Sequence, residues 1–126
     1  MRTKIIAGNW KMTGNDEFAE TLIKGLIAGN HHNPEAEVVV CPPFTSLFWA
    51  AKLLDGSQIA LGAQDMSEHE SGAYTGEVSG SMLLTLGVKY VILGHSERRQ
   101  YHAETDDLVN RKALRAFATG DRKSVV

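Results

Sequence analysis

Short apolar runs alternate along this chain with longer segments whose apolar positions recur at helical spacing. Lys4 to Ala7 is brief, apolar and β-branched, which predicts a first strand. From Asp16 to Gly29, Phe18, Leu22 and Leu26 fall on one face of a helix. Asn15 or Thr13 suits its N-cap, and Gly29 or Asn30 its end. Glu37 to Cys41 carries three consecutive valines, as a strand buried on both faces does, and Pro42-Pro43 forbids further ladder pairing. Thr45 or Ser46 can then cap a helix to about Leu54, closed by Gly56. A third strand is expected at Gln58 to Ala63, followed by a long polar loop, Asp65 to Glu77. A short helix from Ser79 to Leu86 stops at Gly87, and Tyr90 to Leu93 forms a fourth strand. Thr105, Asp106 and Asp107 open a last helix ending near Gly120, with acids at the positive end of its dipole. Strands and helices in this alternation predict an α/β fold on a parallel sheet.

Composition narrows the reading. A chain of 126 residues, 43% hydrophobic, suits one packed domain and argues against disorder. A net charge of -2 favours neither nucleic acid nor a membrane surface, and no apolar run approaches a membrane span. The single cysteine, Cys41, excludes an internal disulfide. Too few apolar residues precede Asn9 for a signal-peptide core, so a cytoplasmic location is expected. No zinc-ligand spacing and no phosphate-binding glycine loop occur, so neither metal nor cofactor is expected. His31-His32 reads as a solvated loop, Glu68-His69-Glu70 as part of a flexible acidic loop, and Trp10 and Trp49 as packing residues.

The chemistry gathers at two strand ends. Ile5-Ile6-Ala7-Gly8 runs into Asn9-Trp10-Lys11, and Val91-Ile92-Leu93-Gly94 into His95-Ser96-Glu97-Arg98-Arg99. Parallel α/β folds display functional groups beyond the C-terminal ends of their strands. A proton-transfer residue, a cation and an amide donor at two such ends suggest one shared polar site. Taken singly, His95, Lys11 and Asn9 also read as a loop histidine, a solvated lysine and a turn asparagine. Glu97 also reads as a helix-start carboxylate stabilised by the dipole.

Ala7-Gly8-Asn9-Trp10-Lys11-Met12 and Gly94-His95-Ser96-Glu97-Arg98-Arg99 resemble the signature segments of the triosephosphate isomerase family. Cys41-Pro42-Pro43-Phe44, Gly62-Ala63-Gln64-Asp65 and Gly72-Ala73-Tyr74-Thr75-Gly76-Glu77-Val78-Ser79 resemble it in the same order, so the likeness runs from about Lys4 to Gly120. It implies a TIM-barrel type of fold with only the first four βα units present, a half barrel in one domain, 1–126. The implied reaction interconverts dihydroxyacetone phosphate and glyceraldehyde 3-phosphate through an enediolate, in glycolysis and gluconeogenesis, without a cofactor.

In that family the histidine, here His95, polarises the carbonyl; it is itself the standard example of an imidazole kept neutral by a helix N-terminus. Lys11 and Asn9 would support the developing oxyanion. Glu97 would lie near the lysine and the substrate, and Ser96 on the phosphate side. The loop Gln64 to Ser79, with Tyr74, Thr75, Gly76 and Glu77, would reach into a second subunit of a homodimer, Thr75 bracing the partner's lysine and asparagine. Arg98 and Tyr101 would support that loop.

The likeness stops after Gly120. Residues 121–126, Asp-Arg-Lys-Ser-Val-Val, form an atypical tail whose charges replace an apolar fifth strand. The family's glutamate base, lid and glycine-rich phosphate loops have no counterpart here, so negligible turnover is expected of this chain alone. Strands one and four are expected as open edges, with half a barrel interior facing water. Such exposure implies a dimer or larger assembly. The alternative reading is a non-catalytic half-barrel assembly module; an unrelated open α/β binding domain would require every motif to be coincidence.

Overall fold

The computed structural model describes residues 2–29, 35–120 and 123–125. Five parallel strands lie side by side in sequence order: β1 (Lys4–Asn9), β2 (Ala36–Cys41), β3 (Ala60–Ala63), β4 (Tyr90–Ile92) and β5 (Lys123–Val125). Between them come α1 (Asp16–Gly29), α2 (Leu47–Leu54), α3 (Gly80–Thr85), α4 (Ser96–Tyr101) and α5 (Asp106–Ala118). The first four strand-helix units form the half barrel expected from the sequence. The register runs Ile6 to Val38, Val40 to Leu61 and Ala63 to Val91.

Local chemistry sets the boundaries. Asn15 caps α1, its Oδ1 accepting from the Phe18 N–H at 2.9 Å. Ser79 and Thr105 cap α3 and α5 in the same way, accepting from Met82 and Leu108. Ser46 makes no side-chain cap on α2; a 3₁₀ turn, Phe44–Ser46, leads into the helix instead. The expected helix end at Asn30 and the pair His31-His32 lie outside the described residues.

The period of two along the strands divides the core. Val40, Leu61, Ala63, Val91 and Leu93 face the helices and pack with Ile23, Leu47, Ala50, Leu83 and Ala116. Val39, Cys41, Tyr90 and Ile92 form a second cluster on the opposite face. That face was expected to lie open to water, and the outcome is divided: these four residues are buried, while Ile5 and Ala7 of β1, on the same face, are exposed. Gly62 contributes to the burial. It sits on β3 between the two larger strands, and a Cβ there would lie 2.6 Å from Cys41 Sγ and 3.1 Å from Val39 Cγ1. With no side chain at Gly62, the β2 side chains Cys41 and Val39 fill the space beside it, and the Tyr90 carbonyl of β4 borders the same point.

Two further expectations about the edges change. The tail is not wholly outside the sheet, because Lys123–Val125 pairs with Tyr90–Ile92. Backbone pairing with a neighbour, not apolar content, carries this strand, and β4 is therefore not an edge. β1 is one: among the described residues it pairs only with β2, and Ile6 is 61% exposed.

Candidate active site

Strand direction places Asn9, Gln64 and His95 at the same end of the sheet. Asn9 closes β1, Gln64 follows β3, and His95 follows β4 after the Leu93-Gly94 turn. Gly94 has φ +67, a conformation that favours glycine, and a Cβ there would lie 2.9 Å from Val109. The turn is tied from behind, since Arg99 Nε donates to the Gly94 carbonyl at 3.0 Å.

These groups line one cavity of about 440 Å³, together with Lys11, Met12, Pro43, Phe44, Asp65, Glu97, Arg98, Tyr101 and His102. The expected residues Asn9, Lys11, His95 and Glu97 thus converge, although 86 positions separate Lys11 and Glu97 in sequence. Ser96 is exposed at the start of α4 and is not part of this lining.

His95 is the N-cap of α4. Its Nδ1 accepts the backbone N–H of Glu97 at 3.0 Å. A nitrogen that accepts cannot carry a proton, so the proton of a neutral ring resides on Nε2, where it can donate to a ligand oxygen. The same backbone bond fixes the ring's orientation.

Lys11 supplies the positive charge. Its Nζ lies 2.8 Å from Glu97 Oε1, and both side chains are about half exposed. The hydrogen bond from Lys11, and behind it the Lys11 charge, hold the Glu97 carboxyl below the ordinary glutamate range against an opposing desolvation. Lys11 has φ +56, one of two non-glycine residues with positive φ among those described. Its own N–H donates to Asn9 Oδ1 at 2.9 Å.

Behind the cavity lies a buried ionic cluster. Lys112 Nζ donates to Asp65 Oδ1 and to Glu104 Oε2, each at 2.8 Å. Arg98 reaches the same two acids, at 3.2 Å to Asp65 and 2.5 Å to Glu104. Burial pushes the Glu104 carboxyl up, but hydrogen bonds from Lys112 and Arg98 and their charges outweigh it and hold it low. For Asp65 burial dominates and raises the carboxyl, with the two cations only partly offsetting it. The cluster joins the end of β3, α4 and α5, and so fixes the helix that carries His95 and Glu97.

Arg98 anchors Asp65, the first residue of the long loop, as expected of a supporting residue. Tyr101 lines the cavity instead and is 71% exposed. Farther along the loop Tyr74 stacks on His69 with ring centroids 3.7 Å apart. Glu77 accepts from Ser67 at 2.6 Å, and Thr75 and Gly76 are exposed at the tip. Glu68 lies 3.2 Å from Arg111, so this acidic stretch is paired to α5. Among the described residues no group of His, Cys, Asp or Glu converges as a metal site requires.

The sequence reading passed over Gln64 and Lys112. Gln64 follows a strand end, the same signal that singled out Asn9 and His95. Lys112 stands four residues before the buried Ala116, on the core side of α5, where a charge requires partners.

A parallel half barrel with histidine, lysine, asparagine and glutamate gathered beyond its strand C-termini belongs to the TIM-barrel class of enzyme architectures. A family model described as triosephosphate isomerase matches residues 4–124. The chain is 56% identical over 120 residues to the triosephosphate isomerase of Albidiferax ferrireducens, covering 95% of this chain and 48% of that relative. It is 53% identical over 120 residues to that of Thermoanaerobacter pseudethanolicus, with 95% and 48% covered. To that of Cutibacterium acnes it is 50% identical over 125 residues, covering 94% and 48%. The chain belongs to the triosephosphate isomerase family and spans about half the length of these relatives. Among the described residues no helix is long and apolar enough to cross a membrane.

Proposed function

We propose that the chain supplies the electrophilic half of a triosephosphate isomerase site. Its substrate is a small phosphorylated triose, and its reaction is the enediolate interconversion of dihydroxyacetone phosphate and glyceraldehyde 3-phosphate. The observation that carries the reading is His95: its Nδ1 is occupied by the Glu97 N–H, and Lys11 and Asn9 share its cavity. His95 Nε2–H polarises the substrate carbonyl. Lys11 and the Asn9 amide stabilise negative charge as it develops on the substrate oxygens, which counts most in a site shielded from water. Glu97 holds Lys11 in place through their 2.8 Å contact.

Proton abstraction from carbon needs a base of its own, typically contributing roughly 10²–10⁴-fold. The family's glutamate has no match in this chain, so the chain alone is inactive in this reading. Ser96 serves the phosphate side. Tyr74, Thr75, Gly76 and Glu77 form a subunit contact in a homodimer, a role suited to their exposed loop. A place in glycolysis and gluconeogenesis and a cytoplasmic location follow from the same reading, and the free buried Cys41 fits a reducing compartment.

The test is a coupled isomerase assay on the chain alone and on the chain mixed with a polypeptide spanning the second half of a relative. Expected are no turnover alone and turnover in the mixture that falls at least a hundredfold with His95→Gln. Turnover unaffected by His95→Gln would overturn the reading.

The exposed β1 edge favours a second reading, a non-catalytic half-barrel assembly module. It predicts that the mixture forms a stable complex without turnover.

A further inference from the structure

β1 ends in Asn9 and the loop after it carries Lys11, yet that loop leaves an edge strand and is mostly exposed. Besides the Lys11 N–H bond to Asn9 Oδ1 and the Lys11 to Glu97 ion pair, a few contacts secure it. Trp10 N–H donates to the Cys41 carbonyl at 3.1 Å, and the Trp10 ring meets Phe18 edge to face. Beyond Trp10 the backbone turns into the left-handed region at Lys11, with φ +56. A β-carbon makes that conformation unfavourable, and it persists only where neighbours hold it.

The neighbour is Gln64. Its Nε2 donates to the Lys11 carbonyl at 2.8 Å and to the Cys41 carbonyl at 2.8 Å. A side-chain amide has two N–H donors, and both are used here on backbone carbonyls. One carbonyl belongs to the unusual residue and the other to the end of β2. The amide therefore bridges the loop to the neighbouring strand.

We infer that Gln64 is a positioning residue, whose amide clamps the left-handed Lys11 backbone so that the ammonium group is presented to Glu97 in the cavity. The inference rests on the reading of this cavity as an isomerase site only for its functional meaning; the clamp itself is a property of the free protein. Gln64 acts through Lys11. Without the clamp, the Lys11 backbone relaxes to a right-handed or extended conformation and the Lys11 to Glu97 contact is lost. Lys11 and His95 are the charged or titratable groups that act on the Glu97 carboxyl.

The test is an NMR titration of the Glu97 side-chain carboxyl in the full chain, without substrate, comparing the parent with Gln64→Met and Gln64→Glu. The first variant keeps the length without donors. The second replaces the donors with oxygens that repel carbonyls. In both, Glu97 should titrate closer to an ordinary glutamate than in the parent, and Lys11→Met should reproduce that rise. The HN–Hα coupling and Cα shift of Lys11 should leave left-handed values. A merely structural role for Gln64 would lower the melting temperature and leave the Glu97 titration and the Lys11 backbone signals in place; that result overturns the inference.

Should both variants fail to fold, the parent chain still decides the matter. A through-hydrogen-bond coupling between the Gln64 side-chain nitrogen and the Lys11 carbonyl carbon is expected, and its absence overturns the clamp. Because none of these readouts uses turnover, failure of the clamp and failure of the isomerase reading give different results.

Discussion

Replacing Lys112 by methionine tests the buried cluster behind the cavity. Two cations, Arg98 and Lys112, balance two carboxylates, Asp65 and Glu104, so the cluster is neutral as built. The Lys112 side chain is 7% exposed and that of Glu104 2%. Lys112→Met leaves a net charge of minus one in this space. Removing one partner of a buried ion pair typically costs about 3–5 kcal/mol. The lower end is expected here, because Arg98 still reaches both acids and the Asp65 side chain is 15% exposed. A loss of about 3 kcal/mol is a large share of the roughly 5–15 kcal/mol that holds a domain together.

Adding Glu104→Gln to Lys112→Met restores neutrality, and the amide oxygen can still accept from Arg98. The double variant should therefore be more stable than the single one. Urea denaturation at constant m-value reads both. The pH dependence should also change sign. In the parent, Glu104 is held low, so its contribution is present above the ordinary carboxylate range and fades as pH falls through its folded-state value. In Lys112→Met the two buried acids share one cation and are raised relative to the parent, so stability relative to the parent should improve on acidification across roughly pH 4–6. Asp65 is already raised in the parent, and losing Lys112 removes part of what offsets its burial, so Asp65 adds to the difference in the same direction. A loss under about 1 kcal/mol for Lys112→Met, well below the range for a broken buried pair, or a double variant weaker than the single, would refute the argument.

Two further outcomes follow from the inner face of the sheet. Gly62→Ala brings a Cβ to 2.6 Å from Cys41 Sγ and should destabilise the fold by about 1–3 kcal/mol, with Cys41→Ala in the same chain recovering part of that in urea melts. Burial, reinforced by the hydrogen bond to Glu37 and its charge, pushes the Tyr90 hydroxyl up to about 12. Its folded-state pKa is raised, so this contribution is complete below the ordinary tyrosine value of about 10 and is lost as pH rises through about 12. Tyr90→Phe should flatten that alkaline loss, followed by circular dichroism; an unchanged alkaline transition would remove Tyr90 from the account.

Much of the scaffold was legible because it rests on local signals. Asn15 gave α1 its start and the valines of β2 marked a buried strand, but the face of α1 was offset: the helix buries Ala19 and Ile23, while Phe18 of the expected Phe18, Leu22 and Leu26 stripe is 41% exposed. His95, Lys11 and Asn9 were visible as polar residues closing apolar runs, and the structure brings them to one cavity. What escaped depends on long-range geometry. β5 has only three residues and follows charged ones, so its pairing with β4 leaves no apolar trace. The close packing of Val39 and Cys41 on the inner face depends on an absent side chain at Gly62 on the neighbouring strand. Gln64 and Lys112 become informative only through partners 53 and 47 positions away.

The β1 edge has a consequence for how the pocket persists in time. Cooperative opening of a protein proceeds through its least protected units, and a strand hydrogen-bonded on one side only is such a unit. Asn9 ends that strand and Lys11 follows it, whereas His95 and Glu97 stand at the start of α4, locked from behind by the ionic cluster. The two halves of the cavity are therefore expected to open as different units. Amide exchange should be faster across Ile5 to Asn9 than across β3 and β4, and each excursion of β1 dismantles the pocket while leaving the rest of the sheet intact.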